Sequence, residues 1–183
     1  ESSEHDPGYK AYPERMKEIG LTNPQEKLAL NKEMMRFAMI TQHLSSAVDS
    51  ISVCAFIFGA SFQLYTPEQL VQTINAVMGW NVDMKEILEV GERRLNMLRA
   101  FNSREGVGRE SDTLPKKMFK RPLKGGRSDG YVLNEEEWEA ALEDYYRLSD
   151  WDVETGHPSL KKMKSLGLGW VVAENNVLSE VIN

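Results

Sequence analysis

Apolar residues recur along this chain at intervals of three and four, with no clear alternation of two, so the pattern predicts helices and no sheet. Glycine and proline divide the pattern into blocks. A short helix is expected from Pro13 to Ile19, with Gly20 as its left-handed C-cap. A second, expected to be the longest, starts near Pro24 and carries Leu28, Met35, Met39 and Leu44 near helical spacing. Thr66 precedes Pro67 and is followed three residues later by Gln69, a capping box with proline in the first turn. Leu70, Ile74 and Val77 form the stripe of that helix, and Gly79 ends it. Asp83 and Glu86 form a second box, opening a helix with Ile87, Val90, Arg94, Leu95 and Leu98 in a mixed but helical period. Asn134 with Glu137 opens another, and the last clear one runs from Pro158 to Gly167. From Asn102 to Tyr131 the chain is polar, basic and rich in Gly and Pro, which predicts a long ordered loop. A loop of roughly 30 residues inside a compact domain covers or contacts something. The expected fold is therefore all-α, a multi-helix domain with a long ordered loop, with residues 1–12 and 169–183 as poorly packed tails.

Composition narrows the class. The chain has 183 residues, enough for one domain with a real core, and a net charge of −6 gives no reason to expect nucleic acid or an anionic membrane as partner. A single cysteine excludes a disulfide framework. No apolar run reaches the roughly 18 residues of a membrane span, and the first residues, ESSEHDPGYK, lack the basic and apolar regions of a signal peptide. The default expectation is cytoplasmic. No phosphate-binding loop, dinucleotide fingerprint, GxSxG or HExxH pattern is present.

Candidate chemistry is sparse. Cys54 sits in an apolar context, CAFIF, where an inert core thiol is the plain reading. Asp49, five residues earlier in VDSISVCAF, weakens that reading, because an acid in an apolar run needs a partner if buried. On an unbroken helix Asp49 and Cys54 would lie about 140° apart, serving two neighbouring groups rather than one. His43 reads as a structural histidine on a helix, and His5, His43 and His157 have no metal-site spacing. Met34, Met35 and Met39 are core filler at this spacing, and EEEWE is a solvated first helical turn. The basic run KKMFKRPLKGGR, Lys116 to Arg127, fits a grip on an acidic neighbour or another domain better than on nucleic acid.

Three stretches together bring in a family. QHLSSAVDSISVCAF is similar to a pattern of Asp, two residues, Gly, Leu or Val, then Cys. FNSREGVGRESDTLPKK is similar to Asn-x-Arg-Glu-Gly followed by Asp-Thr-Leu-Pro. LEDYYRLSDWDVETGHPSLKKMKSLGL is similar to Tyr-Tyr, Gly-Trp-Asp and a Pro-started helix ending Leu-Gly-Leu. In this order they resemble the C-terminal helical domain of the tungsten-containing aldehyde:ferredoxin oxidoreductases, from about Gln42 to Leu168. The resemblance implies that residues 1–183 are one helical domain of a larger enzyme, whose intact form holds a tungsten bis-pyranopterin and a [4Fe–4S] cluster. Asp49, Val53 and Cys54 would be cofactor-binding, Asp49 accepting N–H bonds from a pterin and Cys54 acting as the fourth cluster thiolate. The reaction implied is aldehyde to carboxylic acid, with electrons leaving to ferredoxin; no catalytic acid or base is named. Ser52 and Asp150 stand where the family has Gly, and the other three cluster cysteines are absent from these residues. The isolated piece is accordingly expected to be inactive and without cofactor, its partners being the other domains of the parent chain. Two alternatives are a tungsten subunit of a benzoyl-coenzyme A reductase and a stand-alone helical interaction module.

Overall fold

The structure, a computed structural model, describes residues 13–26, 28–58 and 64–173. Among these, helices follow one another without a sheet: α1 (Pro13–Glu18), α2 (Lys32–Ile51), α3 (Ala55–Phe58), α4 (Pro67–Met78), α5 (Met84–Arg104), α6 (Lys117–Lys120), α7 (Glu135–Ser149), α8 (Leu160–Ser165) and α9 (Gly169–Ala173). One isolated antiparallel bridge pairs Trp151 with Pro158. No helix among the described residues is long and apolar enough to cross a membrane.

The predicted caps form as their chemistry requires. Thr66 and Asp83 each accept from the backbone N–H three residues on, while Gln69 and Glu86 reach back to the cap N–H, so two orphan donors are satisfied at each start. Asn134 accepts from the N–H groups of Glu136 and Glu137, and Ser159 from that of Lys162. The start of α2 differs from expectation. It is capped by Asn31, whose side chain accepts from Met34 N–H at 2.9 Å, and Pro24 lies outside any helix. Asn31 also donates to Gln25 Oε1 at 2.9 Å, which holds the preceding segment in a bend. With 20 residues α2 is one shorter than α5, so the expected longest helix is the second longest described.

Helix α2 is the hub, packed chiefly on α5 and next on α7. The first core joins Met16, Ile19 and Leu21 to Leu44, Ala47 and Val48 of α2, Leu70 and Ile74 of α4, and Ile87 of α5. A second core joins Ala100 of α5 to Met163, Leu166, Leu168 and Val172. The chain beyond Leu168 was expected to be a loose tail; its first turn is α9, which buries Val172, and residues 174–183 and 1–12 lie outside the described residues.

Five helices end in the same motif, a left-handed residue whose N–H bonds back three residues while the next N–H bonds back five. In three the left-handed residue is glycine: Gly20, Gly106 and Gly167. In the other two it is Ser52 (φ 62°) and Asp150 (φ 56°), the described non-glycine residues with positive φ. At Ser52 the bonds run to Asp49 C=O at 3.1 Å, and from Val53 N–H to Val48 C=O at 3.3 Å. A Cβ in this conformation crowds the following carbonyl, so Ser52→Gly should stabilise the chain by about 1 kcal/mol, and Asp150→Gly by less, because Asp tolerates the region better. Urea unfolding midpoints measure this; an unchanged or lowered midpoint for Ser52→Gly would contradict it.

Candidate functional site

The end of α2 presents the two candidate groups on either side of the Ser52 turn. Asp49 lies three residues after Ser46 on one helical face, and its side chain is 60% exposed. Arg94 Nη1, from α5, lies 3.3 Å from Asp49 Oδ2 and 3.2 Å from Ser46 Oγ. Asp49 Oδ1 accepts no hydrogen bond among the described contacts. After Ser52 reverses the chain, Val53 packs half-buried against the first core, and Cys54 emerges exposed. The Cys54 carbonyl accepts from the N–H groups of Ile57 and Phe58, opening α3, and Phe56 beside it is 91% exposed. Cys54 is thus no core thiol. A cleft of about 680 Å³ opens beside this segment, with Ser50, Ile51, Val53, Ile74, Val77 and Ile87 among the residues that line it.

Gly91 explains why Arg94 stands where it does. A Cβ on Gly91 would lie 1.8 Å from the His43 carbonyl oxygen and 2.9 Å from Ala47 N, so α5 meets α2 backbone to backbone here. One turn later α5 delivers Arg94 onto Ser46 and Asp49. His43, buried at this crossing, has its pKa lowered by burial; Glu92 opposes the shift and Lys162 adds to it. It stays a neutral structural residue near pH 7.

The second and third motif stretches meet in a separate network. Arg99, 8% exposed, grips Asp112 through two bonds of 3.0 and 2.6 Å and donates to Gly156 C=O at 2.7 Å. Tyr146 donates its hydroxyl to the same Asp112 oxygen that accepts from Arg99 Nη2. Burial, and next the hydrogen bond to Asp112, push the Tyr146 phenol well above its ordinary range. The Arg99 guanidinium also lies 5.0 Å from the Trp151 ring centre, and Trp151 Nε1 donates to Asn96 at 2.9 Å. Arg109 adds bonds to Val153 C=O at 3.0 Å and Glu139 at 2.8 Å. The long segment after α5 is therefore knitted inward by Arg109 and Asp112, and the described contacts of these two residues reach neither Asp49 nor Cys54. Its basic lobe, Lys116 to Lys124, is exposed and braced by Leu123 N–H to Tyr131 C=O at 2.9 Å and Leu133 N–H to Met118 C=O at 3.2 Å.

This network fixes structure. Asp112→Asn leaves a nearly buried guanidinium without its counter-charge, and breaking such a pair costs about 3 kcal/mol or more. Urea unfolding should register that loss, and a change below about 1 kcal/mol, the scale of an exposed pair, would contradict the assignment.

Neither end of α2 nor any other described region can hold a metal alone: no group of three or more His, Cys, Asp or Glu residues is assembled among the described residues. An exposed thiol and an exposed carboxylate with an uncommitted oxygen nevertheless fit one wall of a site whose remaining ligands come from elsewhere. Sequence reasoning named Asp49, Val53 and Cys54 as candidates and did not single out Ser46, Gly91, Arg94 or Arg99. Arg94 carried a signal, as a cation interrupting the apolar period of α5; Gly91 and Arg99 carried none.

The described residues form a helical domain in which one exposed carboxylate and one exposed thiol stand on either side of a left-handed turn. Comparison with known proteins gives this a family. The profile described as aldehyde ferredoxin oxidoreductase, domains 2 and 3, matches residues 2–168, and the chain belongs to that family. It is 32% identical over 141 residues to the tungsten-containing aldehyde ferredoxin oxidoreductase of Pyrococcus horikoshii, and 30% identical to that of Thermococcus kodakarensis. Each match covers 76% of this chain and 22% of the relative, so the chain spans about a fifth of their length. Among solved structures it is similar to the active site complex BamBC of benzoyl coenzyme A reductase in complex with 1,5-dienoyl-CoA. The TM-score is 0.62 at 24% identity, over 79% of this chain and 20% of that one, a likeness of fold.

Proposed function

We propose that this chain is the C-terminal helical part, residues 1–183, of a cytoplasmic tungstopterin and iron–sulfur aldehyde oxidoreductase, with Asp49 as a pterin contact and Cys54 as one cluster thiolate. The observation that carries the reading is the pair itself: in a chain of this family, Asp49 and Cys54 are both exposed and are separated by the left-handed turn at Ser52. The tungsten–pterin centre, when bound, supplies oxidation of an aldehyde to a carboxylic acid, with electrons leaving through the [4Fe–4S] cluster to ferredoxin. Asp49 accepts two parallel N–H bonds and so orients a flat heterocycle. Cys54 gives one thiolate of the four such a cluster takes, and Val53 anchors the intervening chain to the core.

Exposed apolar residues favour a covered domain over a stand-alone module. Phe56 beside Cys54, and Met97, Leu98 and Phe101 on α5, leave large apolar side chains in water, as expected of a face that packs on the rest of a parent chain. Alone, this chain should be inactive. The test of the pterin assignment is Asp49→Asn in the full-length protein. Tungsten and pterin content should fall about tenfold or more, on the scale of losing an orienting carboxylate in a cofactor site. Full retention of both would sink the assignment.

A further inference from the structure

We infer that Arg94 is a positioning residue for Asp49, holding its carboxylate ready for the N–H edge of a pterin; this rests on the Asp49 assignment above. One nitrogen of Arg94 spans Ser46 Oγ at 3.2 Å and Asp49 Oδ2 at 3.3 Å. Ser46 is 3% exposed and forms a fixed floor on α2. The other side of the bracket is equally fixed, because Gly91, one turn before Arg94, puts the α5 backbone directly on His43 and Ala47. Asp49 alone would be an exposed side chain at a helix end, free to change rotamer. A cation pinned between two packed helices and donating to one oxygen selects the rotamer that points along it.

The bond count permits this. An ionised carboxylate offers about four lone-pair sites, so a single donation to Oδ2 leaves Oδ1 and a second site on Oδ2 for two parallel N–H donors. The side chains of Arg94 and Asp49 are 39% and 60% exposed, and exposed pairs contribute little to folding. Arg94 therefore differs from Arg99, whose buried pair carries stability: its loss should be read in cofactor binding and hardly in unfolding.

The experiment uses the full-length protein carrying Arg94→Gln, Arg94→Lys or Asp49→Asn. It measures tungsten by mass spectrometry, pterin by fluorescence of the oxidised ring released in acid, and the urea midpoint of each variant after its cofactors have been stripped, since bound cofactor itself raises the midpoint. Arg94→Gln should lower tungsten and pterin about ten- to hundredfold, as when a ligand's orienting partner is removed, with the urea midpoint in place. Arg94→Lys, which keeps the charge, should recover part of the loss. If Asp49→Asn empties the site while Arg94→Gln loads like the unaltered protein, the inference fails and the Asp49 assignment stands. If Asp49→Asn loads fully, both fail. A loss in Arg94→Gln that accompanies a collapse of its urea midpoint assigns Arg94 to folding and overturns the inference.

Discussion

Gly91→Ala should unfold this domain or come close to it, with a loss of at least about 4 kcal/mol against the 1–3 kcal/mol of ordinary overpacking. The new methyl carbon would sit 1.8 Å from the His43 carbonyl oxygen, 2.7 Å from the His43 carbonyl carbon and 2.9 Å from Ala47 N. All three are backbone atoms of a helix, so no rotamer change relieves the clash. Helices α2 and α5 must separate instead. That opens the first core around Ala47 and Val48, which are fully buried, and Ile87, and it withdraws Arg94 from Asp49. A domain whose whole stability is about 5–15 kcal/mol has little margin for this. Urea unfolding followed by circular dichroism measures the loss; a midpoint like that of the unaltered chain would mean the helices do not cross at Gly91.

What the sequence makes legible here is what is local. Thr66 with Gln69 and Asp83 with Glu86 fold into the boxes their spacing announces, because a cap is decided by four consecutive residues. The start of α2 was harder to place. Pro24 after Asn23 looks like a helix start, yet α2 starts after Asn31, whose side chain caps Met34 N–H and donates to Gln25. Spacing alone also favoured a buried Cys54, since nothing in CAFIF tells that Ser52 ends the helix and turns the thiol outward.

The remaining gaps are non-local. Gly91 reads as an ordinary, slightly unfavourable helical glycine until His43 is seen against it. Asp112, Tyr146 and Trp151 belong to two motif stretches that resemble the family, and their common purpose becomes visible only around Arg99, whose bonds join them. Ser52 and Asp150, where the resemblance implies glycine, are the described non-glycine residues held at positive φ. The departure thus has a definite physical content, about 1 kcal/mol of strain at Ser52 beside the candidate site.

The central claim is that Cys54 serves an iron–sulfur cluster whose other ligands lie outside this chain. Its exposure after a reversing turn, with the exposed Phe56 two residues on, is what supports that reading. Replacing thiolate by hydroxyl removes a soft, anionic ligand and substitutes a weak, neutral oxygen, so the cluster should either lose iron or shift its electronic structure. Cys54 is exposed and outside both cores, so the same substitution should leave the fold intact. The decisive measurement is the electron paramagnetic resonance spectrum and iron content of the reduced full-length protein carrying Cys54→Ser. The account predicts an altered or missing cluster signal; a spectrum and iron content identical to those of the unaltered protein would contradict it.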